Sequence, residues 1–354
     1  MMRSKDPRDW NRLLGRYREP DISRSLFELL ITVMPFVGLW VLMRLALSVG
    51  YWLCLLLALP TACFLMRLFM IQHDCGHGAC FRRRSTNDWV GRIIGVVTLT
   101  PYGFWLRTHA LHHAHAGNLD QRGFGDIITL TSEEYLALPL LNRVAYRLYR
   151  SPFVMFGLIP IYLFTVHYRL PFGFMRGGIQ PWLSTMGTNV AIAGVVAVIV
   201  RLIGVGPFLL VHGPVVAISS SIAVWFFYVQ HQFEDTFWVH KGAWSFHEAA
   251  LRGSSHYELP AVLAWFTGNI GVHHVHHLSS RIPFYRLPQV LCDHPELASL
   301  GRLTFLQSLR CTTLALWDER QRRLISFHQL RLNRSMSVRA SLGQDRCGVT
   351  SPGN

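Results

Sequence analysis

Two stretches of this chain, 45–66 and 202–233, contain no Asp, Glu, Lys or Arg at all. A helix rises 1.5 Å per residue, so either stretch can cross about 30 Å of hydrocarbon. No water is present in a bilayer core to satisfy backbone N–H and C=O groups, whereas a helix satisfies its own. These runs therefore commit the chain to transmembrane helices. Each has an apolar neighbour: 26–49 is broken only by Glu28 and Arg44, and 177–200 ends at Arg201. Ser48, Gly50 and Tyr51-Trp52 mark one interfacial turn, and Gly204, Gly206 and Pro207 mark the other. Arg44 and Arg201 lie near these turns, where long side chains snorkel to the headgroups. The expected fold is an all-α membrane protein of two helical hairpins, with four spans at about 26–49, 51–71, 183–203 and 207–229, and the first hairpin leaving the bilayer near Arg67.

Charge sets the expected orientation. Lys+Arg number 34 against 20 Asp+Glu, and Lys5 and Lys241 are the only lysines. Arg82, Arg83, Arg84, Arg92, Arg107, Arg122, Arg143, Arg147, Arg150, Arg169 and Arg176 all lie between the hairpins, and the stretch from Arg302 is Arg-rich too. By the positive-inside rule these segments face the cytoplasm, and the excess charge is explained by anionic lipid without a nucleic-acid partner. The first 24 residues are densely charged with no apolar core, so a cleavable leader is not expected. The expected organisation is a cytoplasmic N-terminal segment, 1–25, then a membrane domain, 26–340, and a flexible tail, 341–354. Within the membrane domain a helical cytoplasmic cap comprises about 72–180 and 230–340. Two weaker apolar segments, 90–106 and 152–168, contain Pro or Gly and are short for spans, so interfacial or re-entrant helices are expected there. Seven cysteines form no CxxC pair, which suggests neither a disulfide framework nor a cysteine-zinc site.

The 18 histidines are the anomaly. Half fall in three clusters, His73-Asp-Cys-Gly-His77, His109-Ala-Leu-His112-His113 and His273-His-Val-His276-His277, and His231 stands at the end of the last span. Helical positions i, i+3 and i+4 share a face, so each cluster aims two or three imidazoles toward one point. Eight or nine neutral imidazoles exceed the needs of one ion and imply two. Imidazole suits zinc, copper, iron and nickel, so ligand type does not name the metal. Two adjacent redox metals with open positions could activate dioxygen. Asp74, Asp120, Asp126, Glu234 and Asp235 are candidates to fix imidazole tautomers. His115, His167, His212, His240, His247, His256, His274, His294 and His328 are expected to be structural, His274 because it lies off the face of its cluster.

The clusters, with Met70–Phe81, His113–Asp120, Val229–Trp238 and Asn269–Pro283 around them, resemble the histidine boxes of integral-membrane fatty acid desaturases, most closely bacterial acyl-lipid enzymes of the Δ12 (omega-6) type. The resemblance covers roughly residues 20–300. It implies a di-iron centre held by His73, His77, His109, His112, His113, His273, His276 and His277, with His231 as a further ligand and Asn269 in water-mediated contact. It also implies dioxygen as co-substrate, acyl chains of membrane lipid as substrate, and a cis double bond as product, at Δ12 of a Δ9-monounsaturated chain. No fused haem segment of the HPGG type is present, so a separate donor such as ferredoxin is expected. His256 stands where an aromatic residue is expected. Two other readings share these features: a membrane hydroxylase or ketolase acting on a carotenoid or other lipid, and a divalent-metal transporter. The transporter requires polar ligands inside the spans, where the charge-free runs offer His212 alone.

Overall fold

The computed structural model describes residues 7–123 and 125–336; the first six residues and the tail at 341–354 lie outside the described residues. A short helix, α1 (Pro7–Gly15), precedes four long ones: α2 (Ile22–Ala46), α3 (Tyr51–His77), α9 (Ile179–Ile203) and α10 (Val205–His231). These four are long and apolar enough to cross a membrane. Between the two hairpins come α4 (Arg84–Val97), α5 (Tyr102–His115), α6 (Ser132–Ala137), α7 (Leu140–Tyr149) and α8 (Ile159–Thr165). After α10 the chain forms α11 (Phe246–Arg252), α12 (Ala261–Phe266), α13 (His273–Leu278), α14 (Leu287–Asp293), α15 (Pro295–Ala298) and α16 (Phe305–Cys311).

Local chemistry sets the ends. The Asp21 carboxylate accepts from the Arg24 N–H at 3.0 Å and caps α2. Gly78, at φ 69°, terminates α3 in the left-handed conformation that glycine adopts without a Cβ penalty. Gly204, at φ 86°, joins α9 to α10 with no intervening loop. Helix α3 is the central element. Its small and apolar positions Cys54, Ala58, Ala62 and Leu65 pack with Phe36 and Met43 of α2 and with Val211 and Val215 of α10. Helix α9 stands outside this core, with Leu183, Val190, Val198 and Leu202 all more than half exposed, as lipid-facing side chains are.

The helices outrun the expected spans: α3 continues past 71 to His77, and α10 past 229 to His231. No lysine or arginine marks these exits; apart from Asp74 the polar residues there are imidazoles and amides, and they pack inside the protein. Arg67 does not mark an exit either, being buried within α3 against Glu28. The segment 90–106 is two helices, α4 and α5, separated by a turn in which Leu99 takes φ 56°. The segment 152–168 begins as a π-helical turn, Val154–Leu158, and bends 58° from α7.

The fold also contains five short strands that helical periodicity did not announce: β1 (Leu130–Thr131), β2 (His256–Glu258), β3 (Arg302–Thr304), β4 (Leu314–Asp318) and β5 (Arg323–Ser326). They form a three-stranded sheet in the order β1-β4-β5 and a parallel β2-β3 pair. Strands of two to five residues leave little sequence signal. Their effect is to pin the C-terminal region onto the loops beside α10.

Candidate metal centre

Four elements deliver the nine histidines: α3 carries His73 and His77, α5 carries His109, His112 and His113, α10 ends on His231, and α13 carries His273, His276 and His277. They assemble into two groups. His73, His77, His109, His113 and His276 form one, His112, His231, His273 and His277 the other, and ligand atoms within each group lie within 4.8 Å of one another. The i, i+4 pairs stay together in each cluster. His112 and His276, at i+3, cross to the other group, because one residue along a helix turns the side chain by about 100°. The expectation that each cluster aims at one point is thus corrected: the second and third clusters bridge both groups.

The spacing within the groups tests whether a metal ion fits. The Nε2 of His109 lies 3.1 Å from that of His73, 3.0 Å from that of His77 and 3.1 Å from that of His113. A neutral imidazole nitrogen has one hydrogen or one lone pair, so it cannot satisfy three such neighbours by hydrogen bonding. A cation at their common centre can. Nitrogens bound at about 2.1 Å and at right angles stand about 3.0 Å apart. The other group has the same spacing, with His231 Nε2 3.1 Å from His112 Nε2 and 3.0 Å from His273 Nε2. Burial, reinforced by the neighbouring imidazoles, holds His109, His113, His273, His276 and His277 well below the usual imidazole pKa. They are therefore neutral at physiological pH, the form in which imidazole donates to a metal.

Three of the nine have their Nδ1 fixed. His231 donates to the Gly253 carbonyl at 3.0 Å, His73 donates to Asp74 Oδ1 at 3.2 Å, and His112 pairs with Asp126. Such partners set the tautomer and turn Nε2 toward the centre. Asp74 also accepts the Phe284 N–H at 2.7 Å, tying α3 to the chain beyond α13. Of the other carboxylates considered, Asp120 reaches no cluster histidine; it accepts from His240 Nδ1 at 2.7 Å and the Lys241 N–H at 2.8 Å. Glu234 is exposed and paired with Arg323 at 2.9 Å, and Asp235 is exposed. Asn269 donates to the Phe284 carbonyl at 3.2 Å, supporting the residue whose N–H meets Asp74. His274 turns out of the cluster, donating Nε2 to the Leu297 carbonyl at 2.9 Å, with burial pushing its pKa down to about 3. His256 likewise donates to the Ala298 carbonyl at 2.7 Å. His212 stacks on Phe208 within its own helix, and no mid-span ligand set exists among the described residues.

Some contributors carried no legible signal. The Gly253 carbonyl is backbone and invisible to side-chain patterns. Trp105 stacks on His109 with centroids 4.6 Å apart and planes 16° apart. It sits at i−4 on α5, a spacing that identifies it once the helix is known. Below the histidines, between α3, α8 and α10, is a small pocket of about 20 Å³ lined mainly by Leu65, Met66, Phe69, Phe164, Val216 and Ala223, with Thr98, Ser219 and Ser220 beside them. Phe69 is one helical turn from His73.

A fold with four helices long and apolar enough to cross a membrane thus brings nine imidazoles into two groups, each of which could hold a metal ion. The protein-family model for fatty acid desaturases matches residues 46–306, and the chain belongs to that family of enzymes. It is 44% identical, over 320 residues and 90% of both chains, to a fatty acid desaturase of Bacillus subtilis (strain 168). It is 28% identical over 236 residues, 64% of each chain, to the sn-1 oleoyl-lipid 12-desaturase of Synechocystis sp. (strain ATCC 27184 / PCC 6803 / Kazusa). A shorter match, 42% over 53 residues and 15% of each chain, is to the sn-1 acyl-lipid omega-3 desaturase (ferredoxin) of the same strain.

Proposed function

We propose that the protein introduces a cis double bond into acyl chains of membrane lipid in an O2-dependent, di-iron reaction, at Δ12 of a Δ9-monounsaturated chain. The observation that carries this reading is the pair of all-imidazole groups, set above mainly apolar side chains of the helices that carry them. His73, His77, His109, His113 and His276 would hold one iron, and His112, His231, His273 and His277 the other. Bound irons supply the redox chemistry: with two electrons and two protons, one O2 takes two hydrogens from adjacent methylenes and leaves as two waters. The protein's own part is placement. A methylene offers no polar handle, so the site must choose it by distance along a chain held in an apolar sleeve. Leu65, Met66 and Phe69 on α3 and Val216 and Ala223 on α10 provide such a lining, from about 6 Å below His73 downward at 1.5 Å per residue. The same two helices carry ligands at their ends, so sleeve and metal site share one rigid frame.

The Δ12 position is supported by the similarity to oleoyl-lipid 12-desaturases, and a ferredoxin-type donor by the omega-3 relative whose name includes one. The arginine distribution supports a cytoplasmic position for the cap, the histidine face and both termini. The test is expression, with a compatible ferredoxin, in a host making saturated and Δ9-monounsaturated chains only. Gas chromatography of total lipid with double-bond location should show a Δ9,Δ12 diene. A new monoene from saturated chains would keep desaturation and refute Δ12. Hydroxylated or ketolated products without a new alkene would refute desaturation as the reaction.

A further inference from the structure

Between Glu258 and His273 the chain has no charged residue for fourteen positions, Leu259 to Val272, too few to cross a bilayer. The two ends of this segment are fastened side by side. The Tyr257 N–H donates to the Gly271 carbonyl at 2.7 Å, and the His273 N–H donates to the Ser255 carbonyl at 3.2 Å. The chain thus leaves and returns at one place. Beside that base, Glu258 pairs with Arg302 at 2.7 Å, and both side chains are about half exposed.

The tip of the loop is α12, and its contacts with α3 fix its depth. Trp265 and Phe266 pack edge-on against Phe64 with ring centroids 6.0 and 5.1 Å apart. The Arg67 guanidinium stacks 3.8 Å over the Trp265 ring and donates to the Trp265 carbonyl, its charge met by Glu28. If the hydrocarbon begins at Tyr51, Phe64 stands about 20 Å and Arg67 about 24 Å along α3, inside a layer about 30 Å thick. Among the described residues, the side of α12 away from α3 is exposed: Val262 is 67% and Leu263 is 41% exposed. Irregular backbone survives at such depth only where its polar groups are satisfied. Here the Asn269 N–H donates to the Ala264 carbonyl at 2.7 Å, the Gly268 N–H donates to the Trp265 carbonyl at 3.1 Å, and Arg67 meets that carbonyl as well.

We propose that the Glu258–His273 loop is a re-entrant element whose tip, α12, inserts Val262 and Leu263 among the acyl chains of the leaflet on the histidine side. The occupant is lipid because the exposed face is apolar, belongs to a segment without charge from Leu259 to Val272, and packs at a depth within the span of α3. Arg67, held by Glu28, is the anchor that draws the loop to that depth. The loop runs directly into His273, so its seating in lipid also seats the third histidine cluster. The inference rests on α3 crossing the membrane.

Site-directed spin labelling of the full chain tests both separately. Single cysteines at Val262, Leu263, Leu56 on the exposed face of α3, and the exposed Ser299 are introduced with Cys292→Ser and Cys347→Ser, and the protein is reconstituted in phosphatidylcholine–phosphatidylglycerol vesicles. The Val262 and Leu263 labels should match Leu56, with collision rates several-fold higher for oxygen than for a water-soluble nickel chelate. A Val262 label that matches Ser299 overturns the inference while Leu56 still reports lipid. Exclusion of both relaxants at Val262 overturns it in favour of a protein partner or second copy. A water-exposed Leu56 overturns the span and the inference together. Glu28→Gln combined with Arg67→Met should shift the Val262 label toward the aqueous pattern.

Discussion

At the scale of single residues the site depends on which nitrogen of each ring is free. A ring whose Nδ1 donates to a carbonyl or carboxylate presents Nε2 as a lone pair, and His231, His112 and His73 are held this way by Gly253, Asp126 and Asp74. Because the histidines divide into two groups, single losses should be selective. His77→Ala, or His276→Ala, removes a ligand from the five-membered group, and His112→Ala removes one from the four-membered group. Each should lower bound iron, measured by elemental analysis, from two ions per chain toward one, and abolish most activity. His274→Ala should leave iron content unchanged, since its ring is spent on the Leu297 carbonyl; its cost is stability, about 1 to 3 kcal/mol, read as a lower Tm. A loss of iron in His274→Ala equal to that in His276→Ala would overturn the grouping. The carboxylates separate in the same way. Asp126→Asn should weaken iron affinity about 10- to 100-fold through His112, whereas Asp120→Asn should leave it unchanged because Asp120 touches only His240 and Lys241.

Among the elements, the loop around Asp120 and the turn at Lys241–Ala243 are clasped by His240, whose Nδ1 meets Asp120 at 2.7 Å and whose Nε2 meets Glu319 at 3.1 Å. Hydrogen bonds to these two carboxylates hold the His240 pKa above its usual value, and Asp120 is held below its own, first by the Lys241 N–H and then by His240. The clasp therefore strengthens as pH rises through the lowered Asp120 pKa. From there it is fully present up to about 6.5, the unfolded imidazole value, and it is lost as pH rises through the raised His240 pKa. All three side chains are exposed, so the effect on Tm is small, but the titration itself is measurable. In ¹³C-histidine spectra the His240 midpoint should lie above 6.5 and fall on Asp120→Asn; an unchanged midpoint would refute the clasp.

Elements also show how far the sequence could be read. The four spans and three clusters were legible because hydrocarbon demands long uncharged runs and ligation demands i, i+4 spacing, both periodic over many residues. Helix ends were not, since Gln72, His73, Gln230 and His231 are polar yet buried by tertiary packing. The division of His112 and His276 from their neighbours depends on how α5 and α13 cross, which no local pattern encodes. Glu28 and Arg67 were each visible as breaks in apolar runs, but only the packing of α2 on α3 pairs them. Asp120 was a plausible tautomer-fixing group by proximity in sequence, and the fold turns it outward.

For the whole molecule, one requirement and one asymmetry point to the same topology. Histidines from α3, α5, α10 and α13 meet in a single site, so the ends of both hairpins lie on one side of the membrane. The arginines crowd onto that side, and the positive-inside rule predicts that it is the cytoplasmic one. The topology proposed from this has four crossings, with the N-terminal segment, both inter-hairpin regions and the C-terminal region all inside. Labelling sites must be accessible for this to be tested. Gly117 and Ser279 are buried, and a Cβ at Gly117 would stand 2.7 Å from the Phe237 carbonyl oxygen, so neither serves. Ser48 and Gly206 at the hairpin turns, and Gln121 and Arg281 beside the histidine face, are exposed. With cysteine at each position in turn, a membrane-impermeant maleimide added to intact cells should modify the Ser48 and Gly206 positions and spare Gln121 and Arg281 until the cells are opened. Modification of Gln121 but not Arg281 in intact cells would place the second and third clusters on opposite faces, and no single site could then contain both. Modification of both in intact cells would preserve the site and invert the protein, exposing it to the outside, where a cytoplasmic ferredoxin could not reach it.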